Sequence, residues 1–220
     1  MAIEVFWSSG SPFSWRVLLA LEAKQLPYES HLLELSRRDH KQPDYLRINP
    51  RGQVPTLRDG DYVIYESIAI LAYLDRKYPQ SPLFGATPRE SGDVWRAVCE
   101  TAAYLDEPTD AFILPIYFGQ SVEKADEIRA TLPLIHAELS RLEAIVRDRA
   151  WLATAELSAA DIVAFPMIMS LLRAASKPAA ATFRHDLTPF ATRFPALSRW
   201  ITRIEGIPGY ERTYPPHWRV

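Results

Sequence analysis

An α/β domain followed by an all-helical domain is the fold class this sequence predicts. Three observations carry the prediction. A strand–helix–strand unit opens the chain, an Asp59-Gly60 turn joins two short apolar runs, and no strand pattern recurs beyond the proline-rich stretch 79–89. Ile3, Val5 and Trp7 alternate with polar or boundary positions, as in a first strand. Ser11-Pro12 opens a helix running to about Lys24, with Pro12 at the first helical position, where its missing N–H costs nothing. Val17, Leu18 and Leu21 give that helix its apolar stripe. Tyr28–Leu33 is the second strand, and a crossover of this length implies parallel pairing with the first. A helical patch lies within the polar segment 36–48. Thr56-Leu57-Arg58 and Tyr62-Val63-Ile64-Tyr65 then form a hairpin around Asp59-Gly60. Ser67 is expected to cap a helix that turns Ile68, Leu71, Ala72 and Leu74 inward and ends near Tyr78-Pro79.

Pro79, Pro82, Pro88 and Gly85 mark a linker, so the expected division is a domain at 1–80, a linker at 81–89 and a helical domain at 90–220. Helices are expected over 90–118, 124–148, 158–175 and 195–205. Ser158-Ala159-Ala160-Asp161 is a capping box in its aspartate form, flanked by Leu157 and Ile162 as a hydrophobic staple, and its role reads as structural.

Composition excludes several function classes. Of 220 residues, 48% are hydrophobic, enough for one large or two modest cores. The net charge of −2 and the lack of any long Lys/Arg run argue against a nucleic-acid partner. A single cysteine, Cys99, rules out an intrachain disulfide framework and a thiolate-rich zinc site, and no metal is expected. Among Val94, Trp95 and Val98 that thiol is expected to be buried and inert. Met1–Trp7 lacks the basic-then-apolar pattern of a signal peptide, and Ile162–Leu172 is too short to span a bilayer. A soluble, cytoplasmic protein with no membrane partner is the expectation.

Residues 49–67 carry the chemistry. Pro55 lacks an N–H and pushes Val54 towards an extended conformation, so Val54 can offer its own N–H and C=O to an extended ligand as a strand edge does. Glu66 supplies a carboxylate suited to an ammonium. Ser67, at a helix N-terminus, suits a carboxylate. The combination fits a small zwitterionic peptide.

Ser11-Pro12-Phe13-Ser14-Trp15-Arg16-Val17, Asn49-Pro50-Arg51-Gly52-Gln53-Val54-Pro55, Glu66-Ser67-Ile68-Ala69-Ile70 and the Leu157–Asp161 cap together resemble the cytosolic glutathione S-transferases over nearly the full length. By motif the sequence is similar to the serine-type classes, with features of phi, zeta and tau members of bacterial or plant type. The resemblance implies a thioredoxin-like N-terminal domain, an all-α C-terminal domain, glutathione as co-substrate and a homodimer. It also implies that Ser11 lowers the thiol pKa of glutathione, with Ser14 as its main rival in a loop that also holds Ser8 and Ser9. His40, Lys41 and Gln53 match positions serving the glycyl end of glutathione. Val54 and Pro55 match those at the cysteinyl amide, and Glu66 and Ser67 those at the γ-glutamyl end. Phe13, Tyr104, Phe112, Ile116 and Tyr117 are the expected wall of an electrophile pocket between the domains.

The implied chemistry is physically coherent. A free thiol titrates near 8.5, so a hydroxyl hydrogen bond and the positive end of a helix must stabilise the thiolate. Since neither Ser11 nor Ser14 is a cysteine, this loop cannot form a mixed disulfide, which leaves thiolate addition or substitution on small hydrophobic electrophiles. Two alternatives accompany that reading. One is a glutathione-dependent isomerase of the maleylacetoacetate type or a dehalogenase, suggested by Ser14-Trp15-Arg16-Val17. The other is a non-catalytic binder of glutathione or hydrophobic ligands.

Overall fold

The computed structural model describes residues 3–219, all but the side chain of Asp186. It forms two compact units, Met1–Leu83 with Gly206–Val220, and Phe84–Glu205. The helical domain expected at 90–220 thus differs at its end, because the last residues cluster with the first unit.

The first unit is built on a four-stranded mixed sheet in the order β2-β1-β3-β4, with β1 Ile3–Trp7, β2 Tyr28–Leu32, β3 Thr56–Asp59 and β4 Tyr62–Tyr65. β2 runs parallel to β1, whereas β3 pairs antiparallel with both β1 and β4. Helix α1, Pro12–Ala23, makes the crossover and buries nine consecutive residues, Ser14 to Glu22. A helix buried on most of its circumference needs cover on more than one side. The helix at Ser67–Lys77 gives one cover and the C-terminal segment another: Trp15 Nε1 donates to Thr213 Oγ1 at 2.8 Å, and Arg212 forks onto the buried Glu22 carboxylate. Helix α2, Pro43–Ile48, precedes the hairpin, and α3, Ser67–Lys77, follows it. Glu66 is the N-cap of α3 and Ser67 its first helical residue, so the expected cap lies one residue earlier. Across the sheet, Glu4 sits opposite Arg58, which donates to it from Nε at 2.7 Å, and the guanidinium holds the Glu4 carboxyl below its ordinary range.

The second unit is helical. α4 Pro88–Glu100 starts from a Thr87–Glu90 capping box, passes through a π-helical turn at Thr101–Asp106, and continues as α5 Glu107–Tyr117. α6 spans Ala125–Arg147 and α7 Ala159–Ala175. α7 is the central helix, with fourteen of its seventeen residues buried. Its capping box is present, and Asp161 does more than cap. The carboxylate is fully buried and accepts from Leu152 N (2.9 Å), Ser158 N (3.0 Å), Ser158 Oγ (2.9 Å) and Trp200 Nε1 (2.8 Å). Burial pushes its pKa up while those four donors pull it back. Short α8, Phe190–Arg193, leads into α9, Pro195–Glu205, whose first N–H groups at Ala196 and Leu197 donate to buried Glu143 of α6. The last short helix, α10 at Tyr210–Thr213, belongs to the first unit.

Cys99 is exposed, contrary to expectation. The inward stripe of α4 is Val94, Ala97, Val98 and then Thr101, at helical spacing, and Cys99 lies off that stripe, where Trp95 and Arg96 are also exposed. Apolar neighbours in sequence are not neighbours on a helix face.

Candidate active site

Strand direction assembles the site. Thr56, at the start of β3, pairs with Phe6 near the end of β1 and with Tyr65 at the end of β4. The end of β2 lies beside the end of β1, where Trp7 pairs with Leu32. Four connecting segments therefore emerge from one end of the sheet: 8–11 after β1, 33–42 after β2, 53–55 before β3 and 66–67 after β4. Every site residue expected in the N-terminal part lies on these segments or in the first turn of α1.

The first segment presents Ser11 as the N-cap of α1. Its Oγ accepts from Ser14 N at 3.2 Å, and its backbone oxygen accepts from Trp15 N at 3.0 Å. A hydroxyl that accepts one bond still has its own proton to donate. Ser11 is half-buried, open on one side. Ser14, the rival, is 1% exposed, and its Oγ accepts from Ser8 N at 3.4 Å. Ser8 is buried as well, and Ser9 Oγ lies 2.6 Å from His217 Nδ1. Phe13 is half-buried beneath the Arg16 guanidinium, 4.9 Å from its ring centroid.

A buried polar cradle fixes the third segment. Gln53 C=O accepts from Tyr45 Oη at 2.5 Å and from Asn49 Nδ2 at 3.0 Å, while both groups also reach Thr56 Oγ1, at 2.8 and 3.0 Å. The backbone is thus pinned on either side of Val54-Pro55, whose peptide bond is cis. Lys41 ties the second segment to the third. Its Nζ donates to Gly52 O at 2.6 Å and Arg51 O at 3.3 Å, so part of its donor capacity goes to the loop. Gly52, at φ +57, has no room for a side chain, because a Cβ would sit 2.8 Å from His40 O. His40 Nδ1 is buried without a hydrogen-bond partner among the described residues. Burial, helped by the Lys41 and Arg38 charges, lowers the His40 pKa, which favours a neutral imidazole.

Glu66 adopts φ 70 and ψ 111, a conformation that residues with a Cβ rarely take, and its side chain is 67% exposed with Arg51 Nε at 3.9 Å. Ser67, only 6% exposed, is in the first turn of α3, whose N–H groups and dipole favour an anion. One end of the sheet thus offers a hydroxyl at a helix N-terminus, a pinned extended segment, a carboxylate and a second helix N-terminus. That set suits a small zwitterionic peptide.

In the helical unit, the expected pocket wall divides. Tyr104, 61% exposed, lines a groove of about 560 Å³ between α5 and α6, together with Ala111, Thr131, Leu134 and Arg141. Phe112 and Ile116 are only 0% and 5% exposed and present almost no surface to a ligand. Tyr117 is exposed at the end of α5, its pKa raised by partial burial. Aromatic and aliphatic residues at helical spacing served packing here, which sequence alone does not distinguish from a ligand wall.

Sequence reasoning had no signal for one element of the site, the C-terminal segment beside Ser9. Glu4, Glu29 and His31 bring ligand atoms within 4.8 Å of one another, but Glu4 is already engaged by Arg58.

The comparisons with known proteins agree with this geometry. The family profile described as glutathione S-transferase, N-terminal domain, matches residues 10–77, and that of the C-terminal domain matches 109–208. Glutathione S-transferase 4 of Zea mays is 33% identical over 71% of this chain and 74% of its own length. Glutathione S-transferase A of Pleuronectes platessa is 27% identical over 97% and 92%. Among solved structures, a glutathione S-transferase from the Antarctic clam Laternula elliptica superposes with a TM-score of 0.84 at 30% identity, covering 100% of this chain and 94% of its own. The chain therefore belongs to the glutathione S-transferase family, with a thioredoxin-like N-terminal part, a helical C-terminal part and glutathione as its co-substrate.

Proposed function

We propose that Ser11 activates the glutathione thiol and that the bound thiolate attacks a small hydrophobic electrophile. The observation that carries this reading is the state of the Ser11 hydroxyl: half-open, accepting from Ser14 N, and free to donate its proton at the positive end of α1. The thiol proton leaves to water. The thiolate donates its electron pair to the electrophile's carbon, and the S–C bond forms as the leaving group departs or a π-bond shifts. Glu66 takes the γ-glutamyl ammonium, the N-terminus of α3 with Ser67 takes the neighbouring carboxylate, and the Val54 backbone before Pro55 pairs with the cysteinyl amide. Gln53, neutral His40 and the remaining donors of Lys41 serve the glycyl carboxylate. For the electrophile, Phe13, Tyr104 and Tyr117 remain as candidate contacts. The family supports a homodimer in the cytoplasm. Leu83 and Phe84, in the linker, are only 2% and 6% exposed within a single protomer and offer little surface to such an interface.

The test is an ultraviolet titration of glutathione thiolate bound to wild type and to Ser11→Ala. A bound-thiol pKa about two below the free value, returning towards it in the variant, is the expected result. An unchanged pKa in the variant overturns the assignment. A second reading draws on the zeta-class glutathione S-transferase of Euphorbia esula, 29% identical over 93% of this chain. It is a glutathione-dependent isomerisation of the maleylacetoacetate type or a dehalogenation, and lack of product or of released halide dismisses it.

A further inference from the structure

The C-terminal segment Tyr210–Arg219 lies along α1 and reaches the loop that carries Ser11. It is fastened at several points within the first unit. Arg212 pairs with buried Glu22, Thr213 Oγ1 accepts from Trp15 Nε1, and the Trp15 ring meets Tyr214 and Trp218 edge-on at 5.8 and 5.5 Å. Arg219 braces the segment from within, donating to Glu211 Oε2 at 3.0 Å and lying over the Tyr214 ring. The strap ends on the loop itself. His217 Nδ1 and Ser9 Oγ share a hydrogen bond at 2.6 Å, and the imidazole closes over Gly10. Gly10 has φ +82, and a Cβ there would lie 2.7 Å from His217 Cε1 and 3.5 Å from Trp218 Nε1.

We propose that this strap holds the Ser8–Ser11 loop in its working conformation, with His217 as the positioning residue for Ser11. Ser11 follows Gly10 directly, and glycine is the residue with the widest conformational freedom, so Ser11 is set on a hinge that needs an external brace. The Ser9–His217 bond and the ring over Gly10 supply that brace from one side, and Ser11 N donating to Ser8 O at 3.2 Å closes the loop from the other. A misplaced hydroxyl weakens thiolate stabilisation without removing the groups that bind the rest of the peptide. The proposal rests on the reading of Ser11 given above.

The experiment is a double-mutant cycle on the full-length protein, read by the titration of bound glutathione thiolate and by kcat and KM. His217→Ala is expected to raise the bound-thiol pKa and lower kcat about tenfold, with glutathione KM changed less than about twofold, as for loss of one positioned hydrogen bond. Ser9→Ala reproduces the effect, and it serves alone if His217→Ala does not fold. His217→Asn, with an amide near the place of Nδ1, restores much of the activity. In the Ser11→Ala background, His217→Ala has no further effect on the thiol pKa. An unchanged titration in both His217→Ala and Ser9→Ala, while Ser11→Ala shifts it, overturns the inference and leaves Ser11 in place. Additive shifts in the double variant also overturn it. An unaltered titration in Ser11→Ala removes the underlying reading instead.

Discussion

Replacing Glu66 separates backbone strain from charge at one position. Its φ of 70 and ψ of 111 hold a β-carbon in a region costing about 1–3 kcal/mol, and the conformation persists because the backbone must turn from β4 into α3 there. Ile70 N donates to Glu66 O at 2.9 Å, and that bond survives any substitution at position 66. Glu66→Ala keeps the strain and removes the carboxylate. Glu66→Gly removes both, while its more flexible unfolded state gives back about 0.5–1 kcal/mol. The glycine variant should therefore be more stable than the alanine variant by about 1 kcal/mol, or about 3 °C in melting temperature for a protein of this size. The Arg51 contact at 3.9 Å between two largely exposed groups contributes little to either comparison. With Glu66 taking the substrate ammonium as proposed, both variants forgo a hydrogen bond worth about 1.4 kcal/mol for so exposed a carboxylate, and glutathione KM is expected to rise about tenfold in each. Thermal melts and initial-rate kinetics on the three proteins decide the matter. If alanine and glycine variants melt together, Glu66 stores no strain. If their KM values stay at the wild-type level, its carboxylate does not meet the ammonium.

Asn49→Ala removes donors to Gln53 O and Thr56 Oγ1 and should destabilise by about 2 kcal/mol in chemical denaturation while raising glutathione KM, since the Val54 segment loses half its cradle. Asp161→Ala strands the buried N–H groups of Leu152, Ser158 and Trp200 and should cost about 4 kcal/mol, whereas Asp161→Asn, which keeps one acceptor, should cost less; a smaller loss for alanine than for asparagine contradicts the network. The hydrogen bond from Arg58 depresses the folded-state pKa of Glu4, so the stability Glu4 contributes is complete above its unfolded value of about 4.3 and is lost as pH falls through the lower folded value. Glu4→Gln should accordingly flatten stability against pH below about pH 4, as measured by urea melts across that range. Cys99 should react with a thiol reagent in the native protein, with one equivalent consumed before unfolding.

Local patterns with a physical mechanism were legible in the sequence. Asp59-Gly60 makes the hairpin turn, Pro12 starts α1, and Ser158 with Asp161 caps α7, each through groups within a few residues of one another. Periodicity located α6, α7 and α9 to within a residue or so. Ser11, Gln53–Pro55 and Glu66-Ser67 were grouped in the sequence only by the family resemblance; their meeting at one end of the sheet depends on the antiparallel β1–β3 pairing, which no local pattern announces. What the sequence hid depends on contacts between distant segments or on exact dihedral angles. Nothing in Tyr210–Thr213 announces that it packs beside Trp15, since a four-residue helix has too little periodicity to declare a face. The positive φ of Glu66 is invisible because glutamate is not a residue that signals it. Cys99 was misjudged because three apolar sequence neighbours suggested burial, whereas the helical rotation carried it outward.

The first unit contains both β1 and the segment 206–219, while the second, 84–205, is one uninterrupted stretch of sequence. Synthesis therefore delivers the parts out of order. During translation the helical unit can close as soon as its own last residue emerges, but α1 stays without its final cover until residues 210–219 have left the ribosome. The nascent protein would carry Trp15 on an incompletely wrapped helix for that interval, and a stalled or truncated product would never lose that greasy surface. Chaperone engagement and proteolytic clearance of shortened products should then depend on this closing segment far more than its small share of the mass suggests.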